Sequence, residues 1–562
     1  MEPVITTQKA NCRNCYKCIR ACPLKAIAFA EDQARVVAED CILRGRCVRV
    51  CPQGAPQPVS DLPAVQRMLA AGLKVYASVA PSYQAAFPGV SFAQLSAALK
   101  KLGFTGAEET AIGATQVSKE YARLMAQGQM ENIITTCCPA VVGLVKRYYP
   151  ELTPQLAPVV SPAVAHARMM KSMFGSRIKA VFIGPCIAKY QEAREGNAIN
   201  AVLRLDELRD WLEEEGIPLD QADPQPAEMH NTISRLYPSP GGIIATVPAQ
   251  KRRGYKSYAA DGVERCMEVL DSIRQGQLKG YFLEMSACEG SCVHGPGVPG
   301  RTPLLVMKER LLAAARRKTE TPPPLTEQVE VELKTQHRPA RRRAAQPTEE
   351  EIAAVLARTG KTVPEDRLNC GACGYPTCRD KAIAVLQGKA DVEMCLPYMR
   401  EKAESTSNLM MEYAPNAILL LSPEGKLVEY NPKARAMLGI RGRAGCGRDV
   451  GQYLAGGLPD LTQGAVLDVP CQLAENDKQV RLSAVATPAG DVIVVLRDVT
   501  QEEQNRTQFE RARAQTLQMA QQAVDRQMRM VQQVAQLLGE TTGETKAALL
   551  RMERSIAQEE GR

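Results

Sequence analysis

Glu284-Met-Ser286-Ala-Cys288-Glu-Gly-Ser-Cys292-Val-His294-Gly295-Pro-Gly297 decides how the middle of this chain is read. Two other short cysteine motifs precede it, Thr135-Thr-Cys137-Cys138-Pro139-Ala and Gly184-Pro-Cys186-Ile-Ala-Lys189-Tyr-Gln-Glu192. They belong to an unusual total of 19 Cys in 562 residues. The number is odd, and the residues crowd into short runs at metal-ligand spacing, which disulfide frameworks generally do not show. Thiolates that hold metal in a reducing compartment are the reading.

The length implies roughly three or four domains. Charged residues at 23% and apolar residues at 45% describe a globular chain. Aromatics at 4%, with one Trp, make large aromatic cores unexpected. The formal charge of +8 counts every Cys as neutral. Metal-bound cysteines are deprotonated, so the assembled protein is less basic than that and a nucleic-acid partner gains little support. The N-terminus has no basic-then-apolar signal pattern, and no apolar run reaches membrane-spanning length. A cytoplasmic protein without a membrane span is expected. Between 58 and 314, strand-like runs at 74–80 and 178–184 alternate with helical patterns, which predicts an α/β domain.

Residues 1–57 form a cysteine-rich head. Cys12, Cys15, Cys18 and Cys22-Pro23 give C-x2-C-x2-C-x3-C-P, a spacing in which three thiolates wrap one cubane and the fourth reaches another cluster. The second copy has Cys41, Cys47 and Cys51-Pro52, but Arg44 stands where its second Cys is expected. Exchange of fourth cysteines assigns Cys12, Cys15, Cys18 and Cys51 to a complete [4Fe–4S] cluster. Cys22, Cys41 and Cys47 remain for a [3Fe–4S] cluster, an atypical [4Fe–4S] cluster, or a site that has lost its cluster. Retained spacing favours a cluster. The head resembles bacterial two-cluster ferredoxins.

The three motifs of the middle segment, in their order, resemble the H-cluster signatures of [FeFe]-hydrogenases, and Val79-Ala80-Pro81-Ser82 resembles the segment that follows the ferredoxin head in that family. The resemblance covers about residues 1–310. It implies a [4Fe–4S] cubane on Cys138, Cys186, Cys288 and Cys292, with Cys292 bridging to a di-iron unit that carries CO and cyanide and binds H2. It also implies cyanide contacts from Lys189 and from backbone groups around Pro81 and Ser82, and a proton relay at Cys137. The chain departs from the family's pattern in three places. Glu120 and then Tyr121 stand where catalytic relatives carry a second acid, and Gly184 and Ser286 replace Met, which strips thioether bulk from beside the di-iron unit. This pattern resembles the sensory subgroup of the family.

Residues 315–349 read as a linker, with basic runs and three consecutive prolines at 322–324. In 350–408, Cys370, Cys373, Cys378 and Cys395 give C-x2-C-x4-C-x16-C, sufficient for another [4Fe–4S] cluster and unlike the paired knuckles of a zinc site. The motif resembles the small iron–sulfur domain of corrinoid iron–sulfur proteins and of some membrane electron-transport subunits. Residues 409–502 resemble a PAS domain at both ends, from Ala414 to Asn431-Pro432 and again from Val492 to Thr500. The tail, 503–562, places Leu517, Val524, Val531, Leu538, Thr545 and Met552 at seven-residue spacing, with a second series at Gln521, Met528, Ala535, Thr542, Leu549 and Ile556. A marginal coiled coil is predicted. Cys266, Cys446 and Cys471 have no partners at ligand spacing, and the four His are scattered, so none of these is assigned as a ligand.

The resemblance thus implies an oxidoreductase of the type H2 = 2 H+ + 2 e−, of low turnover, in which redox state passes through the clusters to a PAS and coiled-coil output. The expected partners are a ferredoxin-type electron carrier, hydrogenase maturation proteins, a second copy through PAS and coiled coil, and a separate signalling protein such as a phosphatase or kinase. The alternative is a catalytic, ferredoxin-linked hydrogenase whose PAS part only dimerises or docks.

Overall fold

The computed structural model describes residues 3–8, 11–30, 33–196, 198–219, 233–300, 302–316, 325–340, 347–440, 447–459, 465–475, 478–488 and 490–559. They divide into two compact units, Met1–Met399 and Arg400–Arg562, and the division falls inside helix Leu396–Tyr413.

The head is built twice, with an offset of 29 residues that carries Cys12, Cys15, Cys18 and Cys22 onto Cys41, Arg44, Cys47 and Cys51. Left-handed residues recur at the same offset, Asn14 and Tyr16 in one copy, Leu43 and Gly45 in the other. Each pair turns the chain tightly enough to start a short helix, Lys17–Ala21 and Arg46–Val50. The thiols of Cys22 and Cys51 each accept an N–H from four residues on, Ala26 and Ala55, at 3.4 Å. Two antiparallel pairs flank the loops: Ile27–Ala30 with Gln33–Val36, and Ile5–Thr7 with Pro56–Pro58.

The middle segment holds two parallel sheets. One runs Gly106–Glu109, Val75–Val79, Lys179–Gly184, Ala201–Arg204; the other runs Lys256–Asp261, Tyr281–Ser286, Ile133–Ile134. Val75–Val79 and Lys179–Gly184 are buried almost throughout, which is why they read as apolar runs rather than alternating ones. Every motif singled out above begins just past the carboxyl end of one of these strands: Ala80-Pro81-Ser82, Thr135 to Cys138, Pro185-Cys186 and Ala287-Cys288. Open parallel sheets place ligand sites at that end. Contrary to expectation, one core does gather aromatics, Tyr83, Phe87, Phe92, Phe104 and Trp211, with ring centroids 5.9 Å apart for Tyr83–Phe92 and 6.4 Å for Phe104–Trp211.

The linker expectation for 315–349 needs correction where the structure describes it. Residues 325–340 strap the middle segment, with Val160 N–H donating to Leu333 O at 2.9 Å and Thr335 N–H to Pro158 O at 3.0 Å. Buried Thr326 donates to Glu108, whose other neighbour, His166, is held in turn by Ser78. A backbone whose groups bond to the 158–160 segment is part of the fold, whatever its sequence complexity. The three prolines and the second basic run lie outside the described residues.

The segment around Cys370–Cys395 packs on the head. Phe29 N–H donates to Lys389 O at 2.8 Å, Lys25 Nζ to Gly374 O at 2.7 Å and Arg20 to Ala372 O at 3.1 Å, and buried Lys389 pairs with Asp40.

In the second unit a sheet of six strands runs Leu427–Tyr430, Ala417–Leu421, Val492–Asp498, Gln479–Ala486, Ala465–Leu473, Leu454–Ala455, with antiparallel neighbours. Ala417, Leu419 and Leu421 alternate inward, as one-sided sheets require. Buried Asn431 caps helix Pro432–Leu438 by accepting Ala434 N–H at 2.8 Å, the physical content of the Asn-Pro seen in the sequence. Cys471 sits in Ala465–Leu473, whereas Cys446 lies outside the described residues. The chain ends in one helix, Thr500–Glu559, on which Leu517, Val524, Val531 and Leu538 are exposed. Among the described residues no helix is long and apolar enough to cross a membrane.

Candidate iron–sulfur and H-cluster site

Cys138, Cys186, Cys288 and Cys292 surround a cavity of about 350 Å³. Their positions follow from local structure: Cys138 caps helix Pro139–Tyr148, which has Pro in its first turn, Cys186 follows a buried strand, and Cys288 and Cys292 flank left-handed Gly290 and Ser291. Burial, followed by the neighbouring Cys138 thiol, pushes Cys186 up to about 12; burial, followed by the Cys186 thiol and then Cys138, raises Cys288 and Cys292. Buried thiols this close together resist ionising without a cation between them, which a metal cluster supplies.

Among the described residues no three His, Cys, Asp or Glu side chains converge tightly enough for a single metal ion. In a cubane each thiolate meets a different iron, so the ligands stand around a cavity, as these four do. A buried orphan adds to the fit: Ser82 Oγ has no hydrogen-bond partner among the described residues. Lys189 is buried and donates to Ser161 Oγ at 2.7 Å and Glu192 Oε2 at 2.5 Å. Burial lowers its pKa, but Glu192 outweighs that and holds it above the usual lysine value. The cation has a third donor for an anionic group.

Cys137 is only partly buried as a residue, but its thiol is enclosed. Burial drives its pKa to about 12 against the opposing pull of the Tyr121 hydrogen bond and Lys189. Tyr121 Oη lies 3.2 Å from its sulfur and accepts Thr136 N–H at 3.0 Å. Glu120, the acid next to Tyr121, instead pairs with Arg123 at 2.5 Å. The expectation that Gly184 strips bulk also needs correction. A Cβ there would fall 2.6 Å from the Phe182 ring, so that ring fills the space, and Lys189 Nζ lies 5.7 Å from its centroid. Ser286 Oγ meets Ser291 Oγ at 2.7 Å. Cys266 is buried against the carbonyls of Ala260 and Ser286.

In the head, Cys22, Cys41 and Cys47 line a second cavity of about 420 Å³ together with Arg44. Burial pushes Cys41 up to about 11 and raises Cys47 further. Burial likewise raises Cys18 to about 11, with Cys12 and Cys15 acting in the same direction. Arg44 pairs with Glu289 at 3.1 Å and Glu264 at 3.3 Å, and Arg49 donates to His294 O at 2.8 Å. Cys370, Cys373, Cys378 and Cys395 line a third cavity, of about 500 Å³, where buried Lys361 donates to Cys395 Sγ at 3.3 Å. Tyr121, Ser161, Glu264 and Glu289 were not assigned from sequence, because each acts through a contact distant along the chain, and Phe182 was missed although its contacts are local. Phe182 left one signal: it shares a strand face with Gly184, two residues on.

Three cysteine-lined cavities in one unit define a multicluster iron–sulfur protein. Residues 73–296 match the model for the iron only hydrogenase large subunit, C-terminal domain; 4–52 match a 4Fe-4S dicluster domain, and 366–397 a putative Fe-S cluster. Residues 73–296 thus carry an iron-only hydrogenase large-subunit domain, flanked by two iron–sulfur cluster regions. It is 25% identical over 377 residues to iron hydrogenase 1 of Clostridium pasteurianum, covering 53% of this chain and 65% of that one. It is 34% identical over 101 residues to one component of the ion-translocating oxidoreductase complex of Azoarcus sp. (strain BH72), covering 18% of this chain and 46% of the relative. The chain thus spans about half to two thirds of these relatives' lengths. A solved [FeFe]-hydrogenase HydA1 variant from Chlamydomonas reinhardtii aligns with TM-score 0.40 and 20% identity, over 46% of this chain and 89% of that one. A PAS domain of an HTR-like protein from Haloarcula marismortui aligns with TM-score 0.16 and 18% identity, over 18% of this chain and 96% of that one.

Proposed function

We propose that this chain is a sensory [FeFe]-hydrogenase, which reacts reversibly with H2 and passes the resulting redox state to the second unit. When bound, the H-cluster supplies the interconversion of H2 with two protons and two electrons. Cys138, Cys186, Cys288 and Cys292 hold its cubane, and Lys189 and the Ser82 region provide polar contacts for cyanide. Cys137 moves the proton and Tyr121 orients it. Cys22, Cys41 and Cys47 hold one cluster, Cys12, Cys15, Cys18 and Cys51 another, and the Cys370–Cys395 set a fourth, docked on the head. The second unit, a PAS domain with a helical tail, pairs with a second copy and contacts a separate signalling protein such as a kinase or phosphatase. Maturation proteins load the di-iron unit, and a ferredoxin-type carrier exchanges electrons.

The observation that carries the sensory reading is the contact of Cys137. The relay thiol is kept, but the group it touches is a buried phenol whose pKa burial holds well above the ordinary tyrosine value, in place of a carboxylic acid. A proton leaves slowly by such a route. The retained thiol itself favours the second reading, a catalytic ferredoxin-linked enzyme. The test loads the full chain with the di-iron cofactor and measures H2 turnover together with partner binding with and without H2. Low turnover and H2-dependent binding are expected; high turnover with H2-independent binding contradicts the sensory role.

A further inference from the structure

Arg44 occupies the position where the repeat of the head calls for a ligand, yet its guanidinium is committed elsewhere. It is held between Glu289 and Glu264, and its side chain is only 9% exposed. Glu289 directly follows Cys288, so the clasp ties the head to the third cysteine motif. The same arginine borders both the Cys22, Cys41, Cys47 cavity and the Cys138, Cys186, Cys288, Cys292 cavity. Its neighbour is packed closely against the middle segment. Gly45 has φ +77°, and a Cβ there would fall 2.7 Å from Ile187 Cδ1 and 2.8 Å from Pro296 Cβ, side chains beside the H-cluster cavity. The chain is thus pressed against the middle segment at the point where the cation sits.

We propose that Arg44 is a fixed cation that ligates nothing and raises the reduction potentials of the iron–sulfur groups on both sides of it. The proposal rests on the hydrogenase reading above. Reduction of either cluster adds one electron and one negative charge, supplied by oxidation of H2, and a buried cation between the two favours the reduced form of each. The replacement of a thiolate by a guanidinium changes a site that would repel the incoming electron into one that retains it. Glu289 and Glu264, which also pair with Arg46 at 2.7 and 3.8 Å, position the cation and set how much of its charge is felt.

The experiment is a potentiometric titration followed by electron paramagnetic resonance, on the full chain with its iron–sulfur clusters but without the di-iron unit. Arg44→Gln is expected to shift the oxidised-to-reduced ratio at fixed potential at least tenfold toward oxidised, which is about 59 mV for a one-electron couple. Arg44→Lys, which keeps the charge, should stay near the parent protein. Glu289→Gln, at an exposed carboxylate, should shift the ratio the other way, and it decides the matter where Arg44→Gln does not fold. Unchanged ratios in both Gln variants, or a Lys variant displaced as far as Arg44→Gln, would overturn the proposal and leave the hydrogenase reading intact. Absence of clusters from the parent protein would overturn both.

Discussion

If Cys137 relays protons, the Tyr121 hydroxyl, 3.2 Å from its sulfur, is the group within its reach. Cys137→Ala should therefore lower H2 turnover by about 100-fold or more, with the electron paramagnetic resonance signal of the cubane retained; unchanged turnover would reject the relay. Glu284 offers a test by pH. Its carboxylate accepts N–H bonds from Gly241 and Ile244, but burial outweighs them and raises its pKa from 4.5 to about 7. The folded protein binds this proton more tightly than the unfolded chain. The stability it contributes is complete below the ordinary carboxylate value and is lost as pH rises through about 7, a change of about 3 kcal/mol. Thermal unfolding of the apoprotein should show that decline relative to Glu284→Gln; parallel pH profiles would contradict it. The ligand-type cysteines were legible in sequence because iron–sulfur loops impose short, fixed spacings. Tyr121 was visible only as a departure, since its contact with Cys137 depends on how a helix face meets a strand end.

Among the elements, two parallel strands, Val75–Val79 and Lys179–Gly184, declared themselves through continuous apolar runs, whereas Gly106–Glu109 and Lys256–Asp261, with few apolar residues, did not. The strap at 325–340 did not either, because much of its hold comes from backbone bonds at Leu333 and Thr335, on which composition is silent. The terminal helix, Thr500–Glu559, has weak heptad positions and two interior glycines, Gly539 and Gly543, with open space where a Cβ would lie. Replacing each by Ala should stabilise the helix by about 0.5–1 kcal/mol. A higher melting midpoint by far-ultraviolet circular dichroism is the expected result; a lower one would show that the glycines serve a close helix–helix contact.

At the scale of the molecule, the first unit gathers the head, the middle segment and the last cysteine cluster into one body. The docking of that last cluster was hidden from sequence, because its contacts join residues more than 300 positions apart, such as Lys389 with Asp40. Asp40→Asn would leave a buried ammonium without its carboxylate and should destabilise the unit by about 3–5 kcal/mol, read as early release of the 350–399 segment to protease; an unchanged cleavage pattern would contradict this. A sensory hydrogenase requires above all that the cavity of Cys138, Cys186, Cys288 and Cys292 house a group that responds to H2. Infrared spectroscopy of the reconstituted full chain reads such a group without any partner or turnover assay. CO and cyanide bands that change between argon and H2, and that disappear in Cys292→Ala, are expected; absent bands, or bands indifferent to H2, would contradict the hydrogenase reading.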